Sequence, residues 1–150
     1  MGNRAVITAS TDRDVAKSKD IGVYLHWNGG RDSVEAFLTY CEAKGYRPPD
    51  VDCYGWARLC QVVGNFFGGE TSLGIDNCDK LDCDNFDNGV YIIKGWRIVG
   101  RQYHGDGEQN VYDLFEMLKT INECQPKKEQ LEEETLKKYY EQRVDEKSSN

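Results

Sequence analysis

The sequence predicts an α+β fold: a small, mainly antiparallel sheet with three packed helices and a charged C-terminal helix. Three observations predict it. The β-like segments Val90 to Ile93 and Trp96 to Tyr103 are short and separated by Lys94-Gly95, a pair that accepts the positive φ of a tight hairpin turn. Apolar residues recur at helical spacing, as at Val34, Phe37, Leu38 and Cys41, which supplies helices to pack on the sheet. At 150 residues and 39% hydrophobic content, the chain suits one domain with one real core.

The elements follow in order. Arg4 to Thr8 reads as a first strand and Gly22 to Trp27 as a second, with the charge-rich stretch Ser10 to Asp20 between them as a surface loop. Helix Ser33–Lys44 carries Val34, Phe37, Leu38 and Cys41 on one stripe, with Asp32 and Glu35 spaced as a capping box and Gly45 as a left-handed stop. Pro48-Pro49 breaks the chain, and Asp50 or Asp52 caps helix Cys53–Phe67, apolar enough for burial on more than one side. Gly68-Gly69 stops that helix, and Thr71 to Ile75 is a third β segment. Asp87-Asn88-Gly89 is a second expected hairpin turn. Asn110 is placed to cap helix Asn110–Cys124, with Val111, Leu114, Phe115, Leu118 and Ile121 on its face.

Pro126 divides the chain into an α+β domain, 1–126, and a charged helical or partly disordered tail, 127–150. The tail has a thin apolar stripe of Leu131, Leu136, Tyr139, Tyr140 and Val144, expected to dock loosely and suited to self-association into a homo-oligomer. No apolar run approaches the roughly 20 residues of a membrane span. The start has no apolar core of a signal peptide, and Val6 stands where a myristoylation pattern wants Ser or Thr. These features predict a cytoplasmic protein whose six cysteines are free thiols. None forms a C-x-x-C pair, and Cys41, Cys60 and Cys124 read as small buried hydrophobes.

Functional candidates fall into two groups. The stretch from Glu70 to Asp87 holds six acidic residues and one lysine, a net of −5 in a chain of −7. Its acidity is local, repels nucleic acid and attracts a basic protein surface. Asp76, Asp79, Asp82, Asp84 and Asp87 are the expected electrostatic contacts, with Phe86 and Trp27 as apolar anchors. Aligning Gly89 on the obligatory glycine of a helix-loop-helix calcium site puts Phe86 and Gly95 at ligand positions, so that site fails. An irregular site from Asp82, Asp84 and Asp87 would make a metal-dependent hydrolase; no metal or cofactor is assigned. The second group is the strand-to-helix turn at Gly29-Gly30, where unpaired helix N–H groups and Arg31 suggest an anion site. The dinucleotide and P-loop patterns are absent, and Asp32 and Glu35 compete for the same N–H groups, so the turn reads as structural. Trp27, Asn28 and Arg31, joined by Arg58, Arg97 and Arg101, remain the site of an alternative small-ligand binder, a sponge for a nucleotide second messenger. With two histidines, no nucleophile elbow and no Cys-His signature, no catalytic residue is assigned.

The segments GVYLHWNGGRDSVEAFLTYC, YGWARLCQVVGNFFGG and DNGVYIIKGWRIVGR resemble a group of small proteins of phages, prophages and mobile elements. The resemblance covers Met1 to about Tyr103 and carries over no functional residue. It implies a context, in which small acidic proteins often inhibit host defence, CRISPR nucleases included. The expected function is thus a non-enzymatic inhibitor that binds a basic, nucleic-acid-handling protein of the bacterial host, without itself binding nucleic acid or membrane.

Overall fold

The structure is a computed structural model that describes residues 3–105 and 112–148. Five strands form one mixed sheet: β1 (Ala5–Thr8), β2 (Ile21–Leu25), β3 (Leu73–Asn77), β4 (Val90–Lys94) and β5 (Arg97–Gln102), in the order β3-β2-β1-β4-β5. Only β1 and β4 run parallel; the other three pairings are antiparallel. With helices α1 (Arg31–Ala43), α2 (Tyr54–Phe67), α3 (Leu114–Glu123) and α4 (Glu133–Ser148), this is the α+β fold expected.

The two faces of the sheet are covered differently. Alternation sends Ala5, Ile7, Val23, Leu25, Tyr91 and Ile93 into the main core with α1. Val6 and Val90 point the other way, into a second small core with Val15, Cys78 and Cys83. Topology explains that second core. The chain leaves β3 at one edge and must pass β2 and β1 to enter the sheet again as β4. The connection does so across the back face, seating Cys78, Leu81 and Cys83 on it. This part of the acidic stretch is therefore a lid on the sheet. Val15, in a single turn of helix at Val15–Lys17 within the expected surface loop, is buried beside it.

Helix α1 lies at the centre. Val34, Phe37, Leu38 and Cys41 are buried as the stripe predicts, but Ser33, Glu35, Ala36, Thr39 and Tyr40 are buried too, because α2, α3 and α4 pack around it. Its N-cap is Gly30, with no side-chain cap. The capping-box expectation is thus corrected: Asp32 Oδ1 accepts from the Ser33 N–H and Oδ2 from the Tyr112 N–H. Glu35 turns instead to arginines, as described below. The far end matches expectation. Gly45 adopts φ +74, and its N–H and that of Tyr46 donate to Glu42 O and Cys41 O, closing a Schellman motif.

Other boundaries move for local reasons. Helix α2 buries one stripe, Gly55, Leu59, Val62 and Val63, while Trp56, Cys60, Phe66 and Phe67 are half-buried, so burial is mainly one-sided. Asp113, accepting from the Glu116 N–H at 3.0 Å, caps α3; the expected cap, Asn110, and Val111 lie outside the described residues. Gly95, at φ +63, turns the β4–β5 hairpin as predicted. Asp87-Asn88-Gly89 is not a hairpin, since β3 and β4 are not neighbours. All six cysteines are free, but Cys78 and Cys83 are buried and Cys124 is exposed. Burial pushes the Cys83 thiol up to about 11.

The charged tail forms a helix, and it packs. Leu136 is buried, Tyr140 packs at a tilt against Phe115 with ring centroids 5.1 Å apart, and Arg143 is only 3% exposed. No helix among the described residues is long and apolar enough to cross a membrane.

Candidate functional site

The segment Asp82 to Gly89 is built around one side chain. Asn85 is buried; its Oδ1 accepts from the N–H groups of Asp87 and Gly89, and its Nδ2 donates to Asp82 O and Gly89 O. Asp87 Oδ2 accepts from Arg4 Nε at 2.7 Å and from the Arg4 N–H at 3.1 Å. Burial alone would raise the Asp87 pKa, but the Arg4 hydrogen bonds outweigh it and hold the carboxyl below its usual range. Asn88 ties the segment to Asn3 and to Arg4 O. Gly89 sits at φ +64 where a Cβ would meet Gln102 O at 2.3 Å, so only glycine lets β4 start this close to β5.

This scaffold holds Phe86 outward. Phe86 is 89% exposed and adopts φ +62, a left-handed conformation that an L residue with a bulky side chain rarely takes. Burial contributes nothing to keeping it there; the Asn85 and Asp87 hydrogen bonds on either side do.

The register carries Trp27 to the same end of the sheet. β1 pairs with β2 so that Val6 faces Tyr24, which sets Arg4 across from His26. Tyr24 Oη and His26 Nδ1 are 2.9 Å apart, and the His26 and Trp27 rings meet edge to face at 5.1 Å. Trp27, 46% exposed, thus lies at the end of the sheet where Arg4 holds Asp82 and Asp87. Sequence reasoning missed Arg4, Tyr24 and Asn85. Asn85, in the short run Asn85 to Gly89, had a turn-forming composition as its signal; the others had none.

The five aspartates differ in availability. Asp79 pairs with Lys19, and Asp82 and Asp87 share Arg4, so two of the five net negative charges are offset locally. Asp76, Asp82 and Asp84 are exposed, Asp82 while 3.5 Å from Arg4. Asp82 and Asp87 converge on a guanidinium, and among the described residues no group of three His, Cys, Asp or Glu side chains is placed to hold a metal.

The alternative ligand residues divide. Arg31 and Arg97 line one cleft of about 250 Å³ with Glu35, Glu146 and Arg143, the last a residue the sequence reading passed over. Each guanidinium there faces carboxylate: Arg31 on Glu35, Arg97 on Glu42 and Glu146, Arg143 on Glu35 at 2.7 Å. Arg101 stacks 3.9 Å over the Tyr91 ring and donates to Asn88 O. Arg58 lies on α2, in a separate cleft of about 450 Å³ beside Tyr46 and Gln125. Asn28, at φ +58, donates to Ser33 Oγ across the turn. The turn itself is pinned: Gly29 N–H donates to Asn3 O, its carbonyl accepts from Tyr91 Oη at 2.7 Å, and a Cβ would meet Asn3 O at 2.5 Å.

Comparison with protein-family models, with curated proteins and with solved structures finds no match.

Proposed function

We propose that the protein is a non-enzymatic binding protein that docks on a basic protein surface through Phe86, Trp27 and the exposed carboxylates of Asp84 and Asp76. Phe86 carries the reading. Holding a solvent-facing aromatic in a left-handed backbone costs about 1–2 kcal/mol and stabilises nothing within the fold. Such outliers persist where surrounding structure over-determines them, often because a partner uses them. Exposed aromatics on rigid backbone are the residue type that dominates interface energies, and Asp84 and Asp76 supply attraction to a basic partner. In the context suggested by the resemblance to phage and mobile-element proteins, that partner is a nucleic-acid-handling defence protein in the bacterial cytoplasm, such as a CRISPR nuclease. Docking there would inhibit it.

The test places a photo-crosslinking amino acid at position 86, expresses the protein in its host and identifies what is captured. A single nucleic-acid-handling protein, lost when Trp27 is changed to Ser, is the expected result. The same capture pattern from position 86 and from an unrelated surface position such as Lys138 would overturn the reading. So would purification with a stoichiometric bound nucleotide and no protein, which would move the function to the arginine cleft.

A further inference from the structure

Strand β3 closes one edge of the sheet. Its ladder with β2 alternates: His26 N–H donates to Ser72 O at 2.9 Å and Cys78 N–H to Asp20 O at 2.8 Å, with Tyr24 opposite Gly74 and Gly22 opposite Asp76 between them. In an antiparallel pair, every second residue turns its main chain toward the neighbour. Ser72, Gly74 and Asp76 therefore face β2, while Leu73, Ile75 and Asn77 present theirs outward. The Asn77 N–H is taken by the Asp76 carboxylate at 2.7 Å. Among the described residues, no acceptor meets the N–H of Leu73 or Ile75.

The side chains along this edge have a pattern. Ile75 shares a face with its partner Val23, a core residue, yet is 55% exposed, and Ile21 beside it is also exposed. Asp76 projects from the opposite face and is exposed. At the start of the strand, the Trp27 N–H donates to Ser72 Oγ at 3.2 Å, so the edge runs on from the Trp27 end of the proposed interface. Acidic residues flank the strand, with Glu70 before it and Asp79 after it.

We propose that the open edge of β3 accepts an extended, basic segment of the partner as a sixth strand; this rests on the protein-binding reading above. Main-chain hydrogen bonds to Leu73 and Ile75 would supply affinity, and alternating side chains would supply selectivity. Apolar residues of the added strand would cover Ile75 and Ile21, and basic residues on its other face would meet Asp76. A second copy of this chain fits less well, because two such edges would bring two acidic stretches together.

The probes are a blocked heptapeptide alternating Lys and Val, the same peptide N-methylated at alternate main-chain nitrogens, and one alternating Glu and Val. Exchange of individual amide hydrogens is followed by NMR. Excess Lys-Val peptide should slow exchange at Leu73 and Ile75 by about tenfold or more, as new strand pairing protects amides. The N-methylated and Glu-Val peptides should not. No slowing with Lys-Val peptide, or equal slowing with the N-methylated one, overturns the proposal. Protection that instead rises with protein concentration alone assigns the edge to a second copy and also overturns it.

Ile75→Pro removes the outward N–H and should abolish peptide protection at Leu73 while leaving the β2 ladder intact. Asp76→Lys keeps that N–H and should reverse the preference toward the Glu-Val peptide; an unchanged preference counts against the proposal. Crosslinking from position 86 separates the two readings. Capture that persists unchanged in folded Ile75→Pro overturns strand addition alone. Absence of capture in the wild type, with peptide protection at β3 intact, fails the Phe86 reading and leaves the strand edge supported.

Discussion

Phe86 and Asp87 are neighbours under opposite constraints, one strained by its backbone and the other stabilised by its partner. Replacing Phe86 by either Gly or Ala removes the ring, but only Gly relieves the left-handed conformation at φ +62. Phe86→Gly should therefore unfold at higher urea than Phe86→Ala, by about 1 kcal/mol. Equal stability would mean the backbone at 86 carries no strain. Asp87 has a folded pKa below its unfolded value because Arg4 donates to it. Its contribution to stability is complete above the unfolded carboxylate pKa of about 4 and is lost as pH falls through the depressed folded value. Wild type should therefore lose stability as pH falls below about 4 more steeply than Asp87→Asn. Parallel curves in urea titrations at stepped pH would count against the Arg4 clasp. Neither residue's behaviour could be read from its type, because both depend on Asn85, whose amide closes the turn around them.

Among the elements, α4 is where composition misleads most. Its sequence is dominated by charge, with a thin apolar stripe, and such helices are normally solvated. Yet Arg143 is buried, donating to Glu35 Oε2 at 2.7 Å and to Trp96 O, with Glu42 Oε1 3.7 Å away. Burial lowers the Arg143 pKa, and the carboxylates of Glu35 and Glu42 work against that fall. Removing one member of a buried pair strands the other charge, at about 3–5 kcal/mol, whereas replacing both by apolar groups is often neutral. Arg143→Met should thus be strongly destabilising, and Arg143→Met with Glu35→Leu should recover most of the loss. Additive losses in a thermal double-mutant cycle would show that the two do not act as a pair. The capping box on α1 fails because the helix starts at Arg31, which puts Asp32 and Glu35 inside it, and Glu35 is left to pair with Arg31 and Arg143.

For the whole molecule, the relevant quantity is how its charge is distributed. The chain carries −7, with −5 between Glu70 and Asp87, but Lys19 and Arg4 sit against Asp79, Asp82 and Asp87. Long-range attraction between exposed charges is screened over about 8–10 Å at physiological ionic strength and acts mainly on association rates. Replacing Asp79, Asp82 and Asp84 with Asn should slow association with a basic partner and flatten its dependence on salt. Stopped-flow rates against salt concentration for wild type and the triple variant decide it, with identical slopes placing the attraction elsewhere.

Local pattern by itself determined the α+β class, the helical segments, the Gly45 stop and the Gly95 hairpin. Each depends on periodicity or on backbone freedom at one residue, properties carried within a few positions of sequence. It also marked Phe86, Trp27 and the acidic stretch as surface candidates. Only the tertiary structure decided that this stretch is a lid on the back of the sheet, since that follows from β1 and β4 lying side by side. It likewise decided the partners of Asp82, Asp87 and Glu35, which lie 78, 83 and 108 positions away in the chain. Ion pairs between groups so far apart leave no periodicity behind, because any carboxylate and any guanidinium can meet wherever the fold brings them together.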